Sequence, residues 1–221
     1  GSEEWEIGSD GKLKKAKVID GGTETAWKTL KEAVAAAEDG DVITINGRIK
    51  AGKYNNDNGE ITINNNITIR GDDSSNDILD ANKNVDNKPK HRIFKVNDGK
   101  KLILENLTLT GGWTQGPGHD EHGNGGAIYV DGGILNMTGC TVSENTAEAN
   151  GGGIYVKNGT VELKNTIIGG NQYYTGTTPN MLKGNIARKG NGGGIYITGD
   201  SKKTFNMENC TVSFNLTENN G

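Results

Sequence analysis

The sequence predicts an all-β fold, a right-handed parallel β-helix (a solenoid) preceded by an N-terminal capping α-helix. The first observation behind this prediction is a phrase that occurs three times: Asn124-Gly-Gly-Ala-Ile-Tyr-Val130, Asn150-Gly-Gly-Gly-Ile-Tyr-Val156 and Asn191-Gly-Gly-Gly-Ile-Tyr-Ile197. The second is a phrase that follows each copy: Leu135-x-Met137-x-x-Cys140-x-Val142-x-x-Asn145, Val161-x-Leu163-x-x-Thr166-x-Ile168-x-x-Asn171 and Phe205-x-Met207-x-x-Cys210-x-Val212-x-x-Asn215. Repeats spaced by roughly 20–50 residues are typical of solenoids.

Strand periodicity predicts which side chains of a repeat face the core. Successive side chains of a strand point to opposite faces, so Leu135 and Met137 share the inward face. After a corner of two residues, Cys140 and Val142 face inward again. Asn145 comes after two further residues, and we expect its side chain to turn inward and bond the backbone of a corner.

One coil of the predicted solenoid runs from Asn124 to Asn150 and contains three short strands. The next coil is longer because it includes a polar excursion at residues 172–190. Two similar excursions are predicted at residues 72–90 and 113–123. Since loops carry variable, contact-making surface, these three excursions are candidate contact regions.

The N-terminal part contains the predicted helix, Thr23–Ala37. Trp27, Leu30, Val34 and Ala37 recur at helical spacing, and Thr23 or Thr25 could cap the helix start. Such a helix is suited to shield the open end of a solenoid from water.

Short strands are expected on both sides of this helix, at Lys17–Ile19 and Asp41–Asn46. We therefore divide the chain into an N-terminal segment with the capping helix, residues 1–40, and the β-helix, residues 41–221. The β-helix is expected to be truncated, because the chain stops at Asn219-Asn-Gly221, where the repeat predicts another Gly-Gly-x-Ile-Tyr strand.

Composition argues against a nucleic-acid partner and against a membrane-spanning segment. The net charge is −4, and charges of both signs are scattered, without the basic stripe that nucleic acid requires. No apolar run approaches the roughly 18–20 residues needed to cross a membrane. Neither a nucleic-acid partner nor a membrane-spanning segment is expected.

The two phrases together resemble the repeats of bacterial polymorphic outer membrane proteins, best known from chlamydiae, which repeat Gly-Gly-Ala-Ile and Phe-x-x-Asn. Gly125-Gly-Ala-Ile128 matches the first, and Gly152-Gly-Ile154 and Gly193-Gly-Ile195 match it with Gly for Ala. Val142-x-x-Asn145, Ile168-x-x-Asn171 and Val212-x-x-Asn215 match the second with an aliphatic residue for Phe. The resemblance implies a passenger-type β-helix at the bacterial cell surface or outer membrane, or secreted. Its partner would be a host surface or matrix protein or a glycan.

The two cysteines occupy one repeat position. Cys140, Thr166 and Cys210 are equivalent in three successive coils, which places the two sulfurs two strand spacings apart, about 9–10 Å. That distance is too long for a disulfide, so buried free thiols are expected.

An outward column of Tyr129, Tyr155 and Tyr196 is predicted, because Ile128 and Val130 face inward. Trp113, Tyr173 and Tyr174 from the excursions could join it. An exposed aromatic column suits binding of sugars or proteins, whereas the simpler interpretation is that stacked tyrosines stabilise the sheet.

A metal site is considered at His119-Asp-Glu-His122, where Asp120 lies between the two histidines. The spacing differs from His-Glu-x-x-His, and the chain's other histidine, His91, is distant in sequence. A solvated loop is the favoured interpretation, and no cofactor is expected.

The alternative function is a polysaccharide-acting enzyme, a lyase or glycoside hydrolase, because many such enzymes are pectin-lyase-like β-helices. Catalysis would need paired carboxylates, or a base beside a cation, on one groove. The outward residues Glu162, Lys164 and Glu208 do not form such an acidic pair, so no catalytic residue is assigned. A non-catalytic binding protein is favoured.

Overall fold

The computed structural model describes residues 4–7, 11, 13–53, 58–83, 90–115, 122–170, 184–199 and 203–218. In chain order its elements are β1 (Glu4–Ile7), β2 (Leu13–Asp20), α1 (Ala26–Ala36), β3 (Val42–Asn46), β4 (Arg48–Lys50), β5 (Ile61–Ile63), β6 (Ile67–Arg70), β7 (Ile78–Asp80), β8 (Phe94–Val96), β9 (Lys101–Glu105), β10 (Thr108–Thr110), β11 (Ile128–Asp131), β12 (Ile134–Thr138), β13 (Thr141–Val142), β14 (Thr146–Ala147), β15 (Ile154–Lys157), β16 (Thr160–Lys164), β17 (Ile167–Gly169), β18 (Ile186–Ala187), β19 (Ile195–Thr198), β20 (Phe205–Glu208), β21 (Thr211–Ser213) and β22 (Leu216–Thr217).

The strands form four sheets: A, B and C follow one another around the coils, and D is added in the later coils. Sheet A has the order β1-β2-β3-β6-β9-β12-β16-β20, and sheet B has β4-β7-β10-β13-β17-β21. Sheet C has β5-β8-β11-β15-β19, and sheet D has β14-β18-β22. From β3 onward the chain visits A, B and C in turn, and neighbouring strands are parallel. The predicted parallel β-helix is confirmed.

Sheet D corrects the prediction of three strands per coil. Its two-residue strands lie between sheets B and C in the later coils, with Thr146 paired to Ile186 and Ile186 to Leu216. A single bridge from Trp113 to Thr146 extends the sheet one coil earlier. Strands of two residues are defined by their hydrogen bonds to neighbouring coils. They are too short to show an alternation of apolar residues in the sequence.

The predicted register is confirmed along sheet A and sheet B. Leu135 pairs with Val161, and Val161 pairs with Phe205. Val142 pairs with Ile168, which pairs with Val212. Inward side chains of equivalent positions therefore stack along the axis and form one continuous apolar core. Each fully buried aliphatic side chain contributes roughly 1.5–3 kcal/mol.

The corner between sheets A and B uses a left-handed backbone at one position in four coils. Asn106, Gly139, Asn165 and Asn209 occupy it, with φ between 49° and 63°. Asn and Gly are the residues that adopt this conformation most readily. The high Asn content is partly explained by these corners.

Helix α1 covers the N-terminal end of the core. It is shorter than the predicted Thr23–Ala37, and Thr25 occupies the N-cap position without a capping side-chain hydrogen bond. Trp27 and Leu30 are fully buried, and the Trp27 indole Nε1 donates to the Gly59 carbonyl at 3.0 Å. The helix is thus anchored to the coil beneath it.

Sheet A extends into the segment before α1. The expected strand at Lys17–Ile19 is part of β2, which pairs in parallel with β3. β1 joins β2 in antiparallel fashion at the edge of the sheet. The boundary between residues 40 and 41 stays a prediction, since the same sheet contains strands from both sides of it.

A ladder of side-chain amides, two of them buried, fills the corner between sheets B and D. Asn145 Nδ2 donates to Asn185 Oδ1 at 2.9 Å, and Asn185 Nδ2 donates to Asn215 Oδ1 at 2.9 Å. The inward turn expected for Asn145 is confirmed by its bonds to the carbonyls of Ser143 and Leu109. Asn171, expected at the equivalent position, lies outside the described residues, and Asn185 occupies the middle of the ladder.

The Asn that opens each glycine-rich phrase forms a second ladder. Asn124 Oδ1 accepts hydrogen bonds from Asn150 N and Nδ2, and Asn150 Oδ1 accepts one from Asn191 N at 2.8 Å. These partners lie 26 and 41 residues apart. The ladder therefore aligns coils of different length at one point.

Both cysteines are free, as expected, and they differ in exposure. Cys140 is buried, whereas Cys210 in the last described coil is half-buried, which corrects the expectation of two buried thiols. Each sulfur contacts the carbonyl two residues earlier, as does the hydroxyl of Thr166 between them. Burial raises the pKa of the Cys140 thiol to about 12.

We expect a thiol reagent at pH 8 to modify Cys210 in the native protein and Cys140 only after unfolding. Thiolate is the reactive form, and both burial and the raised pKa keep Cys140 unreactive. Mass spectrometry with and without denaturant measures this. In the control Cys210→Ser, native labelling should disappear and one site should appear on unfolding. A disulfide between the two cysteines would contradict the register.

Candidate functional site

The predicted tyrosine column lies on sheet C. Tyr129, Tyr155 and Tyr196 pair in register across β11, β15 and β19. Their ring centroids are 5.1 and 5.6 Å apart, and successive ring planes are inclined by 11° and 13°. The rings are stacked as the sequence predicts.

The exposure expected for this column is wrong for two of its members. Tyr129 is 1% exposed and Tyr155 is 8% exposed, and Tyr196 alone is partly accessible. The guanidinium of Arg92 lies 4.9 Å from the Tyr129 ring centroid, and the Lys95 ammonium lies 5.7 Å from it. Rings stacked face to face also hide each other, so the column faces outward without being an open aromatic surface.

The buried environment affects the chemistry of the middle ring. Burial raises the pKa of the Tyr155 hydroxyl, and the neighbouring Tyr196 and Asp131 add to the shift. Tyr155 is therefore neutral at physiological pH. Of the three tyrosines, only the ring of Tyr196 is available to a ligand.

Trp113 is placed on a different side of the coil from the tyrosine column. It pairs with Thr146 of sheet D, and its ring lies 5.2 Å from the Lys90 ammonium and 5.9 Å from the Arg188 guanidinium. Such contacts are cation–π interactions that fix the ring. Tyr173 and Tyr174, which were expected near the column, lie outside the described residues.

The histidine cluster is only partly described. His119 and Asp120 lie outside the described residues, and the backbone carbonyl of His122 accepts a hydrogen bond from Arg92 Nη2 at 3.3 Å. Within the described ranges, no group of three or more His, Cys, Asp or Glu side chains is placed to hold a metal ion. The metal interpretation stays untested.

A groove crosses the outward face of sheet B and was not predicted. We call it the sheet B groove; its cavity has a volume of about 470 Å³ and is lined by Arg48, Ser74, Ser75, Ile78, Thr108, Thr110, Thr141, Ser143, Glu144, Ile167, Gly169 and Gly170. Its floor runs from β4 to β17 through β7, β10 and β13. Five parallel strands at roughly 4.8 Å spacing make it about 19 Å long.

Two columns of outward side chains form the floor of the sheet B groove. In the first, Ile78, Thr108, Thr141 and Ile167 are paired in register. In the second, Thr110 on β10 lies beside Ser143, which continues β13; Ser143 N donates to the carbonyl of Leu109, at 3.1 Å. Hydroxyl groups therefore occupy the middle of the groove in two columns.

The turn formed by residues 72–77 borders the sheet B groove and belongs to the predicted excursion 72–90. Strand β7, which also falls within that excursion, is part of sheet B. The buried Asp77 carboxylate accepts backbone N–H bonds from Gly47, Asp72 and Asp73 at 2.7–3.0 Å. The Ser74 carbonyl accepts the Thr108 hydroxyl at 2.6 Å, which attaches the turn to the groove floor. These hydrogen bonds hold this side of the sheet B groove in one conformation before a ligand binds.

The charges of the sheet B groove are balanced. Arg48 Nη2 is 2.7 Å from Asp80 Oδ2, and this pair neutralises the only arginine in the lining. The negative charge of Glu144, the only carboxylate in the lining, favours the protonated form of Lys83. Burial lowers the pKa of Lys83, and the charges of Glu144 and Asp80 oppose that shift. The groove therefore presents mainly hydroxyl groups and two isoleucine side chains to a ligand, and little net charge.

A larger cavity, of about 790 Å³, lies where the start of α1 meets β4. Its lining includes Lys50 and Lys53 together with Glu24. This cavity is more basic than the sheet B groove. The two cavities share Arg48, which stands between them.

The sequence contained a signal for the sheet B groove. Thr108-Leu-Thr110, Thr141-Val-Ser143 and Thr211-Val-Ser213 each place a hydroxyl on both sides of an inward apolar residue. Because these tripeptides recur at one repeat position, their hydroxyls must align along the axis. The signal lies in the outward positions of the second phrase, whereas the fold prediction rests on its inward positions.

Comparison with known proteins identifies one repeat. Residues 139–157 match the family model of the Chlamydia polymorphic membrane protein repeat, which confirms the resemblance predicted from the sequence. Proteins with this repeat are generally non-catalytic surface or outer-membrane proteins of the autotransporter passenger type. No curated protein and no solved structure matches the chain at a significant level. Among the described residues, no helix has the length and apolar character needed to cross a lipid bilayer.

Proposed function

We propose that this chain is a non-catalytic binding β-helix of a bacterial cell surface, of the adhesin or passenger type. Its partner is a host surface or matrix protein or a glycan. The observation that carries the proposal is the match of residues 139–157 to a repeat of surface proteins.

The residues within the matched repeat support a scaffold role for it. Cys140, Val142 and Ile154 belong to the apolar core, and Asn145 and Asn150 belong to the two amide ladders. The repeated residues are therefore used to build and align coils. Binding falls to the outward surface: the accessible ring of Tyr196, the sheet B groove and the excursions at 113–123 and 172–190.

The tyrosine column supports binding at its accessible end only. The other candidate residues, Tyr129 and Tyr155, are too buried to contact a ligand directly and act by holding the next ring in place. The aromatic contact of this proposal is therefore Tyr196. A partly exposed tyrosine presents an apolar ring and a polar hydroxyl to a partner.

The proposal is tested by binding of the folded protein to a panel of extracellular-matrix proteins and host-cell glycans on a solid phase. We expect saturable binding to at least one member of the panel. Tyr196→Ala should weaken it if the ring is a contact, by roughly 1–3 kcal/mol, and Tyr196→Phe should retain most of it. Circular dichroism controls for folding of both variants.

The competing function, a polysaccharide-acting enzyme, is separated by a turnover assay. The protein is incubated with a panel of acidic and neutral polysaccharides, and unsaturated products and new reducing ends are measured. No turnover is expected. Turnover that depends on the folded protein would overturn the non-catalytic proposal, as would the absence of binding to every member of the solid-phase panel.

A further inference from the structure

We propose that the sheet B groove binds an uncharged, extended oligosaccharide that lies along the coil axis, across strands β7, β10, β13 and β17. The inference rests on the proposed binding function and names its ligand class. It is drawn from three features of the groove: its hydroxyl columns, its balanced charge and its direction.

The hydroxyl columns present the groups that sugars use. Thr110 is 8% exposed and lines the cavity, and its hydroxyl has no hydrogen-bond partner among the described residues. The same holds within those residues for the hydroxyls of Thr141 and Ser143. A hydroxyl donates one hydrogen bond and accepts others, so this set complements sugar hydroxyls in either direction.

Charge balance favours a neutral ligand over an acidic one. The Arg48 guanidinium is paired with Asp80, and Glu144 adds negative charge to the lining. A uronic-acid polymer would therefore find no unpaired cation in the lining and would approach a carboxylate. Ile78 and Ile167 are half-buried in the lining and offer apolar patches to the C–H faces of sugar rings.

The direction of the groove favours a sugar chain over a peptide. A peptide that adds to a sheet pairs with an exposed strand edge, whereas this groove crosses the outward faces of strands already paired on both sides. Its chemical groups repeat at the strand spacing of roughly 4.8 Å, while side chains on one face of an extended peptide repeat at about 6.8 Å. The rigid turn at residues 72–77 keeps the groove open before a ligand arrives, which reduces the entropic cost of binding.

The test is titration of the whole chain with neutral linear cello- and xylo-oligosaccharides, and with oligogalacturonate as the acidic counterpart. We expect the neutral series to bind more tightly, with affinity rising with length until the groove is filled. The double variant Thr110→Val/Thr141→Val should lose about tenfold in affinity, because two hydrogen bonds of about 0.7 kcal/mol each are removed.

The matched control is Thr138→Val, which removes an exposed hydroxyl from the outward face of sheet A. It should bind as the parent protein does, and unfolding midpoints should show that every variant is folded. Equal losses in the control, tighter binding of oligogalacturonate, or no binding of the neutral series would each overturn this inference. If the protein still binds a member of the matrix-protein and glycan panel in those cases, the proposed surface function stands and only the ligand class is wrong.

Discussion

Replacing Ile154 by Asp is expected to prevent folding of the β-helix at 25 °C. Ile154 is 0% exposed and lies between Ile128 and Ile195 in the inward column of sheet C. Ile154 belongs to the hydrophobic core cluster, so the new carboxylate would be placed among apolar side chains. Burying an unpaired charge costs several kcal/mol, a large fraction of the roughly 5–15 kcal/mol that stabilises a domain.

The measurement for Ile154→Asp is far-UV circular dichroism with urea titration. We expect loss of the β-sheet signal and of a cooperative transition. Ile154→Val, which only shortens the side chain, should cost about 0.5–1.5 kcal/mol. Thr138→Asp places the same carboxylate on the exposed face and should change stability by about 0.5 kcal/mol or less. A cooperative, nearly native transition in Ile154→Asp would contradict the inward register of this column.

Replacing Asn185 by Ala is expected to destabilise the protein by about 2–4 kcal/mol. Asn185 is fully buried, and its Oδ1 accepts hydrogen bonds from Asn145 N and Nδ2. Its Nδ2 donates to the Val142 carbonyl and to Asn215 Oδ1. Removal of this amide deprives buried groups in two neighbouring coils of partners. Asn145 Nδ2 keeps its bonds to the carbonyls of Ser143 and Leu109, which limits the loss.

The effect of Asn185→Ala is measured as the free energy of unfolding in urea. Asn206→Ala is the control, because Asn206 is an exposed residue on the outward face of sheet A. That control should change the free energy by about 0.5 kcal/mol or less. Equal effects of the two substitutions would show that the amide ladder does not align the coils.

The coil architecture was predictable because its causes are local and repeated. Val161 and Phe205 could be aligned with Leu135 from spacing alone, since one shift in register would move every inward side chain outward. The middle of the Asn ladder was not predictable in this way. Asn171, which has the repeat spacing after Ile168, lies outside the described residues, and Asn185 bonds both Asn145 and Asn215 in the ladder. Sequence spacing counts residues along the chain, whereas the ladder depends on where the coil closes in space.

The candidate site was predicted less well, for a different physical reason. The direction of Tyr129 and Tyr155 follows from alternation, but their exposure depends on what packs over them, including Arg92 and the adjacent ring. That cover comes from other coils and has no signal in the repeat. The sheet B groove depends in the same way on the turn of residues 72–77, whose shape is determined by the buried carboxylate of Asp77.

The connection between β17 and β18 begins and ends at residues that are hydrogen-bonded to the next coil. Gly170 N donates to the Ser213 carbonyl at 3.1 Å, and Asn185 N donates to Asn215 Oδ1 at 3.0 Å, so both ends of the connection are attached to the next coil. When the two ends of a loop are held in place, each doubling of its length costs only about 0.6 kcal/mol of closure entropy. This β-helix can therefore acquire or lose sequence at that corner, and so vary its surface, while the stability of its scaffold stays nearly constant.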